Sequence, residues 1–178
     1  MQRIVFTFVG NDKPGLVQRL SEHVSAHGGN WLESRLARMA GKFAGIVCVN
    51  LPASEADTLR SAFQQLADDG LSITLEYSDA GPAIDNQHGL IAVLGNDRAG
   101  IIHEVASALA TRHINIEELS SKVESAPMAG IPLFSAQIHV ALPAALDLTE
   151  LHQQLDDIAN QLDLDINLEL NVHREKYA

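Results

Sequence analysis

Short hydrophobic runs and helical stripes alternate along the chain, and the same order occurs twice. IVFTFV (residues 4–9) and LIAVL (residues 90–94) each lead into a glycine, as is typical of buried strands. After each run, apolar residues recur at i, i+1, i+4 and i+8, which is the spacing of one helix face. They are Leu16, Val17, Leu20 and Val24 in the first copy and Ile101, Ile102, Val105 and Leu109 in the second. The pattern therefore predicts a strand followed by a helix in each copy.

The first copy continues with a hairpin, a helix and a last strand. WLESRLARM and FAGIVCVNL flank an Ala-Gly-Lys turn, which predicts two paired strands. A second helix is predicted from about Ser54, with this serine as N-cap and Asp57 three residues later. LSITLEY alternates apolar and polar residues, as a half-buried strand does. The order β-α-β-β-α-β predicts an α+β fold, the ferredoxin-like motif, with two helices on one face of an antiparallel sheet.

The two copies can be aligned along most of their length. An offset of 85 maps Gly10 onto Gly95, whereas an offset of 91 maps Phe43 onto Phe134. The larger offset predicts a longer loop in the second copy, at residues 124–132. Similarity at a fixed offset indicates duplication of one structural unit.

These boundaries divide the chain into two predicted domains. Residues 1–77 form the first and residues 89–173 the second, with residues 174–178 as a C-terminal tail. Residues 78–88 are polar, contain Gly and Pro and show no periodicity, which predicts a linker. Because a unit of this size has a thin core, we expect the two units to stabilise each other. FAGIVCVNL is apolar at both sets of alternating positions, so we also expect both faces of its sheet to be covered.

Composition and charge exclude several classes of protein. The chain has 178 residues, of which 46% are hydrophobic, and its net charge is −11. A protein that grips a nucleic acid duplex normally concentrates Lys and Arg, so direct nucleic acid binding is not expected. The one cysteine cannot form an intramolecular disulfide, and neither a signal peptide nor a membrane-spanning run is predicted. We therefore expect a cytoplasmic protein that does not bind membranes.

The repeated turn after the first strand is the most distinctive motif. It reads GNDKPGLV at residues 10–17 and GNDRAGII at residues 95–102. It lacks the GK[ST] of a phosphate loop and the G-x-G-x-x-G of a dinucleotide-binding loop. One interpretation is structural: Gly10 and Gly15 permit a tight turn and Asp12 caps the helix. The other is a ligand site, in which the helix start attracts a carboxylate and the aspartate binds an ammonium group.

Other reactive residues do not form a recognisable catalytic or metal motif. His23 and His27 are four residues apart on one helix, but no HExxH pattern or matching pair in the second copy accompanies them. Cys48 falls within an alternating strand, where a lone thiol usually packs as a small apolar group. His103 and His113 flank the second copy's first helix and are expected to be exposed. We therefore predict that the chain is not an enzyme and holds neither a metal nor a cofactor.

Together, these motifs resemble those of the ACT domain, a small regulatory module that often senses amino acids. The resemblance rests on G-N-D-[KR]-x-G-[LI]-[VI], on the later GGNW or INI, and on the following β-β-α-β order, in both copies. Two such units, with NWLESRLARMAGKFAGIVCV in the first, resemble the glycine cleavage system transcriptional repressor family.

The resemblance implies where a ligand binds. In amino-acid-binding ACT domains, the loop after the first strand and the Asn that opens the second strand face a ligand across an interface between units. In this sequence these positions are Asn11, Asp12, Gly15, Leu16 and Asn30, and Asn96, Asp97, Gly100, Ile101 and Asn115.

The resemblance also implies a function and a set of partners. It implies a repressor that binds a small amino acid, such as glycine or serine, and acts through a DNA-binding activator protein, because the chain is acidic and has no helix-turn-helix. A homodimer is implied because ACT units commonly pair. The alternatives are a regulatory subunit or ligand-binding module controlling an enzyme of amino-acid metabolism, and an interaction module without a ligand.

Overall fold

The computed structural model describes residues 1–78, 87–125 and 132–170. The chain divides into two compact units, Met1–Pro82 and Ala83–Ala178. The described residues leave out most of the predicted linker, the predicted tail and the middle of the loop at 124–132. Gln87 and His88, which were assigned to the linker, are the first residues of a strand.

Unit 1 is one antiparallel sheet with helices on one face. Its elements are β1 (Gln2–Asn11), α1 (Leu16–Ala26), β2 (Asn30–Met39), β3 (Lys42–Leu51), α2 (Ala56–Gln65) and β4 (Leu71–Tyr77). Short 3₁₀ turns at Ala53–Glu55 and Leu66–Asp69 flank α2. The strand order in the sheet is β2-β3-β1-β4.

Unit 2 repeats this architecture, which confirms the predicted fold. Its elements are β5 (Gln87–Asn96), α3 (Ile101–Thr111), β6 (Asn115–Ser125), β7 (Pro132–Leu142), α4 (Leu148–Leu162) and β8 (Leu164–Leu170). The strand order is β6-β7-β5-β8. Gly10 pairs with Phe43 and Gly95 pairs with Phe134, so the aligned residues of the two copies occupy the same positions in their sheets.

Each unit has its own hydrophobic core between sheet and helices. In unit 1, Phe6 and Leu20 are fully buried, and the ring of Phe6 meets that of Trp31 edge-on at 5.9 Å. In unit 2, Ile91 and Val105 are buried at the corresponding positions. The predicted helical stripes therefore face the cores, except that Val17 is 40% exposed and Ile102 is only partly buried.

The opposite face of the sheet in unit 1 carries exposed apolar residues. Val9 on β1 and Ile46 on β3 point away from the helices and are 46% and 48% exposed. Cover of this face by the sister unit or by another chain stays a prediction. Among the described residues, no helix is long and apolar enough to cross a membrane.

Two predicted helix caps are wrong. The N-cap of α1 is Gly15, without a side-chain cap, and Asp12 lies before the turn. The N-cap of α2 is Glu55, because Ser54 belongs to the preceding 3₁₀ turn. The side-chain cap that is present was not predicted: Asp147 Oδ1 accepts hydrogen bonds from the N–H groups of Thr149 and Glu150, at 2.8 and 3.2 Å.

Candidate ligand-binding corners

The repeated motif forms the same backbone corner in both units. We call residues 11–16 the first corner and residues 96–101 the second corner. The N–H of Asp12 donates to the carbonyl of Gly41 at 3.0 Å, and the N–H of Asp97 donates to the carbonyl of Pro132 at 2.9 Å. Each corner is thus fastened to the hairpin of its own unit by an equivalent hydrogen bond.

A glycine in the left-handed region turns each corner into its helix. Gly15 has φ 86° and Gly100 has φ 100°, a conformation that side-chain-bearing residues rarely adopt. Leu16 and Ile101, the first helical residues, are 8% and 2% exposed. The two glycines therefore shape the backbone, and the two apolar residues belong mainly to the cores. The polar side chains of each corner are those of the Asn, of the Asp and of the following Lys13 or Arg98.

In the first corner, the side chains of Asn11 and Asp12 are engaged by cations from the hairpin. The carboxylate of Asp12 lies 2.8 Å from Nε of Arg38, and the Asp12 side chain is 35% exposed. Nζ of Lys42 donates to Oδ1 of Asn11 at 2.6 Å. The aspartate that was predicted to cap α1 therefore neutralises an arginine instead.

In the second corner, neither cation has a counterpart. Val123 takes the position of Arg38, because Val123 pairs with Phe134 as Arg38 pairs with Phe43. Leu133 takes the position of Lys42, because Leu133 pairs with Asn96 as Lys42 pairs with Asn11. Asn96 and Asp97 are exposed. Within the part of the chain that the structure describes, their side chains make no hydrogen bond or ion pair. Among the described residues, the Asp97 carboxylate therefore has no ion-pair partner, and it lies beside a helix start and next to Arg98 in the chain.

The sequence did not indicate this difference directly. Arg38 and Lys42 belong to a small basic cluster with Arg35, which a sequence alone suggests to be a solvated hairpin. Aligning the hairpins of the two copies would have shown that the two hairpin cations, Arg38 and Lys42, are replaced by apolar residues in the second copy.

Asn30 and Asn115 lie far from the corner of their own unit. Asn30 pairs with Asn50, and Asn50 pairs with Arg3 at the start of β1, whereas the first corner follows the end of β1. Eight residues of strand separate the two ends, on the order of 25 Å. Asn115 is placed equivalently in unit 2, opposite Ala141. An amino acid cannot contact both the corner and this asparagine within one unit.

The histidines and the cysteine form no site among the described residues. The ring of His27 donates from Nδ1 to the carbonyl of His23 at 2.7 Å, and His23 packs edge-on against Phe63. Cys48 is a free, half-buried thiol, and His103 is exposed. In the described ranges, no group of three or more His, Cys, Asp or Glu side chains could hold a metal ion.

Comparison with known proteins finds a family match for the first unit. The family model of the ACT domain matches residues 2–77. Over 161 residues, the chain is 26% identical to the glycine cleavage system transcriptional repressor of Escherichia coli (strain K12), an alignment that covers 89% of this chain and 85% of the relative.

Solved structures show the same fold over both units. The crystal structure of an unknown protein from Galdieria sulphuraria matches 96% of this chain and 99% of its own, with 32% identity and a TM-score of 0.86. A crystal structure assigned as a glycine cleavage system transcriptional repressor matches 95% of this chain and 96% of its own, with a TM-score of 0.70. At 20% identity, the second match shows a shared fold only.

Proposed function

We propose that this chain, which is a tandem ACT-domain protein, senses a small amino acid and represses transcription of the glycine cleavage system through a protein partner. The regulatory role is supported by the ACT-domain match and by the Escherichia coli relative, whose name is that of a transcriptional repressor. Repression of the same system by this chain, and its partner, are our inference from that similarity.

The observation that carries the ligand part of the proposal is the second corner. The exposed carboxylate of Asp97 suits an ammonium group, because charge-assisted hydrogen bonds are stronger than neutral ones. The first N–H groups of α3 have no partner within the helix and suit a carboxylate. Asn96 adds an amide that can donate or accept. An α-amino acid carries both charged groups close together, so one small zwitterion can use the whole corner.

The first corner is not equivalent in this proposal. Its carboxylate already has a cationic partner, so an incoming ammonium group must displace Arg38 from Asp12. We infer that the second corner binds the ligand more tightly. Asn30 and Asn115 are too far from the corner of their own unit to share a ligand with it. They take part in amino-acid binding only if another unit places its corner beside them.

The charge of the chain favours a protein partner over direct contact with DNA. The net charge of −11 opposes binding to the phosphate backbone. A repressor with this charge acts by holding a DNA-binding activator, and the amino acid changes the affinity of the chain for that activator. We further propose that the protein is a cytoplasmic homodimer and catalyses no reaction.

Two binding measurements test the ligand and the DNA parts separately. Calorimetry with glycine and serine, and with leucine as a large control, is expected to give heat with the small amino acids and none with leucine. Mixing the purified chain with labelled operator DNA is expected to give no complex. Absence of heat with every amino acid would refute the sensing role, and tight, salt-dependent DNA binding would refute action through a partner.

A pull-down identifies the partner. The tagged chain is incubated with cell extract, with and without glycine, and bound proteins are identified by mass spectrometry. A DNA-binding regulator whose recovery depends on glycine supports the proposal. Recovery of an enzyme of amino-acid metabolism in its place would favour a regulatory subunit.

A further inference from the structure

Unit 2 also contains a concave surface on its sheet, beginning at Leu94, two residues before Asn96 of the second corner. It lies on the face of the sheet opposite α3 and α4 and has a volume of about 780 Å³. We call it the sheet groove. Its polar side chains come from three of the four strands: Ser120 and Lys122 on β6, Ser135 and Gln137 on β7, and Asp165 and Asn167 on β8. Pockets for small ligands generally have volumes of this order.

The strand register arranges these side chains in two parallel rows. In the first row, Lys122 on β6 lies opposite Ser135 on β7. Ser135 lies opposite Leu94 on β5, and Leu94 lies opposite Asp165 on β8. The second row lies two residues away along every strand and contains Gln137. Because side chains alternate between the faces of a strand, both rows point to the same side of the sheet. The groove therefore crosses all four strands.

The two ends of the first row carry opposite charges. Lys122 stands on β6 and Asp165 on β8, the two edge strands, which are three strand spacings or about 14 Å apart. Nζ of Lys122 forms an ion pair with Oε2 of Glu124 at 2.8 Å, but both side chains are more than 60% exposed. Such surface pairs contribute little, so the ammonium group can turn to a ligand. Asp165 is exposed and makes no hydrogen bond or ion pair with the rest of the described chain.

Between the charged ends, the groove offers small polar groups that are free to bind. Ser120, Ser135 and Gln137 make no side-chain hydrogen bonds among the residues that the structure describes. Ala92, in the middle of the second row, is small and leaves room above the sheet. Hydroxyl and amide groups can both donate and accept, as the peptide groups of a ligand require.

Unit 1 lacks this chemistry at the equivalent positions. The counterparts of Lys122 and Asp165 are Ala37 and Ser72, as judged from their places in the registers. Ile46 takes the place of Gln137. The charged ends and the central amide are therefore features of unit 2 and do not follow from the fold itself.

We propose that the sheet groove binds a short, extended zwitterion of the size of a tri- or tetrapeptide. Its ammonium group would bind Asp165 and its carboxylate Lys122. An extended chain spans about 3.3–3.6 Å per residue, so three or four residues bridge most of the distance between the two charges. A single amino acid is too short to reach both. This site is separate from the second corner, and it does not depend on the proposed function.

A titration of the full-length, ¹⁵N-labelled chain with triglycine tests this proposal. We expect saturable shifts of the amides at residues 120–122, 135–137 and 165–167. N-acetyl-triglycine lacks the ammonium group and triglycine amide lacks the carboxylate, so each is expected to bind at least about tenfold more weakly. Lys122→Gln and Asp165→Asn are expected to weaken triglycine binding by a similar factor. Ser72→Ala, at the counterpart of Asp165 in unit 1, is the matched control and leaves binding unchanged.

Several outcomes would overturn the proposal. These are an absence of shifts in the three segments, equal binding of the capped and uncapped peptides, and unchanged affinity of the Asp165→Asn variant. The variants lie on an exposed face, and circular dichroism confirms that each is folded. Glycine is titrated in parallel, and shifts at residues 95–102 would support ligand binding at the second corner whatever triglycine does.

Discussion

Replacing the two corner aspartates one at a time distinguishes their roles. In Asp97→Asn, a ligand ammonium group loses a charge-assisted hydrogen bond. Hydrogen bonds to charged groups contribute about 1.5–3 kcal/mol, so glycine is expected to bind about 10- to 150-fold more weakly. In Asp12→Asn, the carboxylate that is lost already lies 2.8 Å from Nε of Arg38. We therefore expect Asp12→Asn to change the affinity of the second corner for glycine by less than about threefold.

A reciprocal exchange of the hairpin residues tests the cause of this difference. Arg38→Val with Lys42→Leu gives the first corner the neighbours that the second corner has. This double variant is expected to gain a second binding site of comparable affinity. The reverse exchange, Val123→Arg with Leu133→Lys, places cations beside Asp97 and is expected to weaken binding about as much as Asp97→Asn does.

Isothermal titration calorimetry measures both effects, because it reports affinity and the number of sites per chain. The expected stoichiometry is one tight site in the wild-type chain and two in the variant with the opened first corner. Salt should weaken binding in each case, since both partners are charged. Equal losses from Asp12→Asn and Asp97→Asn would refute the reasoning. An unchanged number of sites after removal of Arg38 and Lys42 would do the same.

Three stability predictions follow from the fold. In Gly45→Ala, the added Cβ would lie 2.3 Å from a leucine methyl group and 2.7 Å from a carbonyl oxygen of β2, so we expect a loss of about 1–3 kcal/mol. Trp31, the one tryptophan, lies in unit 1, and its fluorescence during urea unfolding measures this loss. A loss below about 0.5 kcal/mol, as at an unconstrained surface position, would contradict the steric argument. Gly100→Ala puts a side chain at φ 100°, although no atom lies within 4 Å of the added Cβ. The free energy of unfolding, measured by circular dichroism, should fall by about 1–2 kcal/mol. A neutral effect would show that the corner relaxes. Asp147→Ala removes the N-cap of α4 and should destabilise the helix by about 1 kcal/mol. Hydrogen exchange of the first turn of α4 measures the effect, and unchanged exchange would contradict the role of the cap.

Much of the fold could be predicted because the controlling signals are local and occur twice. The helical stripes beginning at Leu16 and Ile101 mark the faces that pack on the sheets, and LSITLEY coincides with β4. The duplication confirms these assignments, since each pattern in one copy has a counterpart in the other. Left-handed glycines at the corners are predictable for the same reason, because few other residues tolerate that conformation.

The caps and the relative positions of the site residues depend on less local information. Asp12 can cap a helix only if the chain turns immediately after it, and Gly15 instead delays the helix start until Leu16. The spacing from the corner to Asn30 says nothing about distance in space. The helix α1 runs back along the sheet, and β2 therefore begins at the end where β1 also begins. Only the strand register shows that the corner and Asn30 are separated by most of the length of the sheet.

The two units have the same backbone at their corners, and we propose that the hairpin side chains determine what each corner can bind. The hydrogen bonds of Asp12 and Asp97 to the neighbouring hairpin are almost identical, so the aspartates are presented in the same way. With Arg38 and Lys42 nearby, the polar side chains Asn11 and Asp12 of the first corner have cationic partners. With Val123 and Leu133 in those places, Asp97 has no such partner among the described residues. On our proposal, a motif that shares its Gly-Asn-Asp and its second glycine in both copies thus stabilises one unit and binds a ligand in the other. The residues that we propose to distinguish the two corners lie on the facing hairpin, outside the motif.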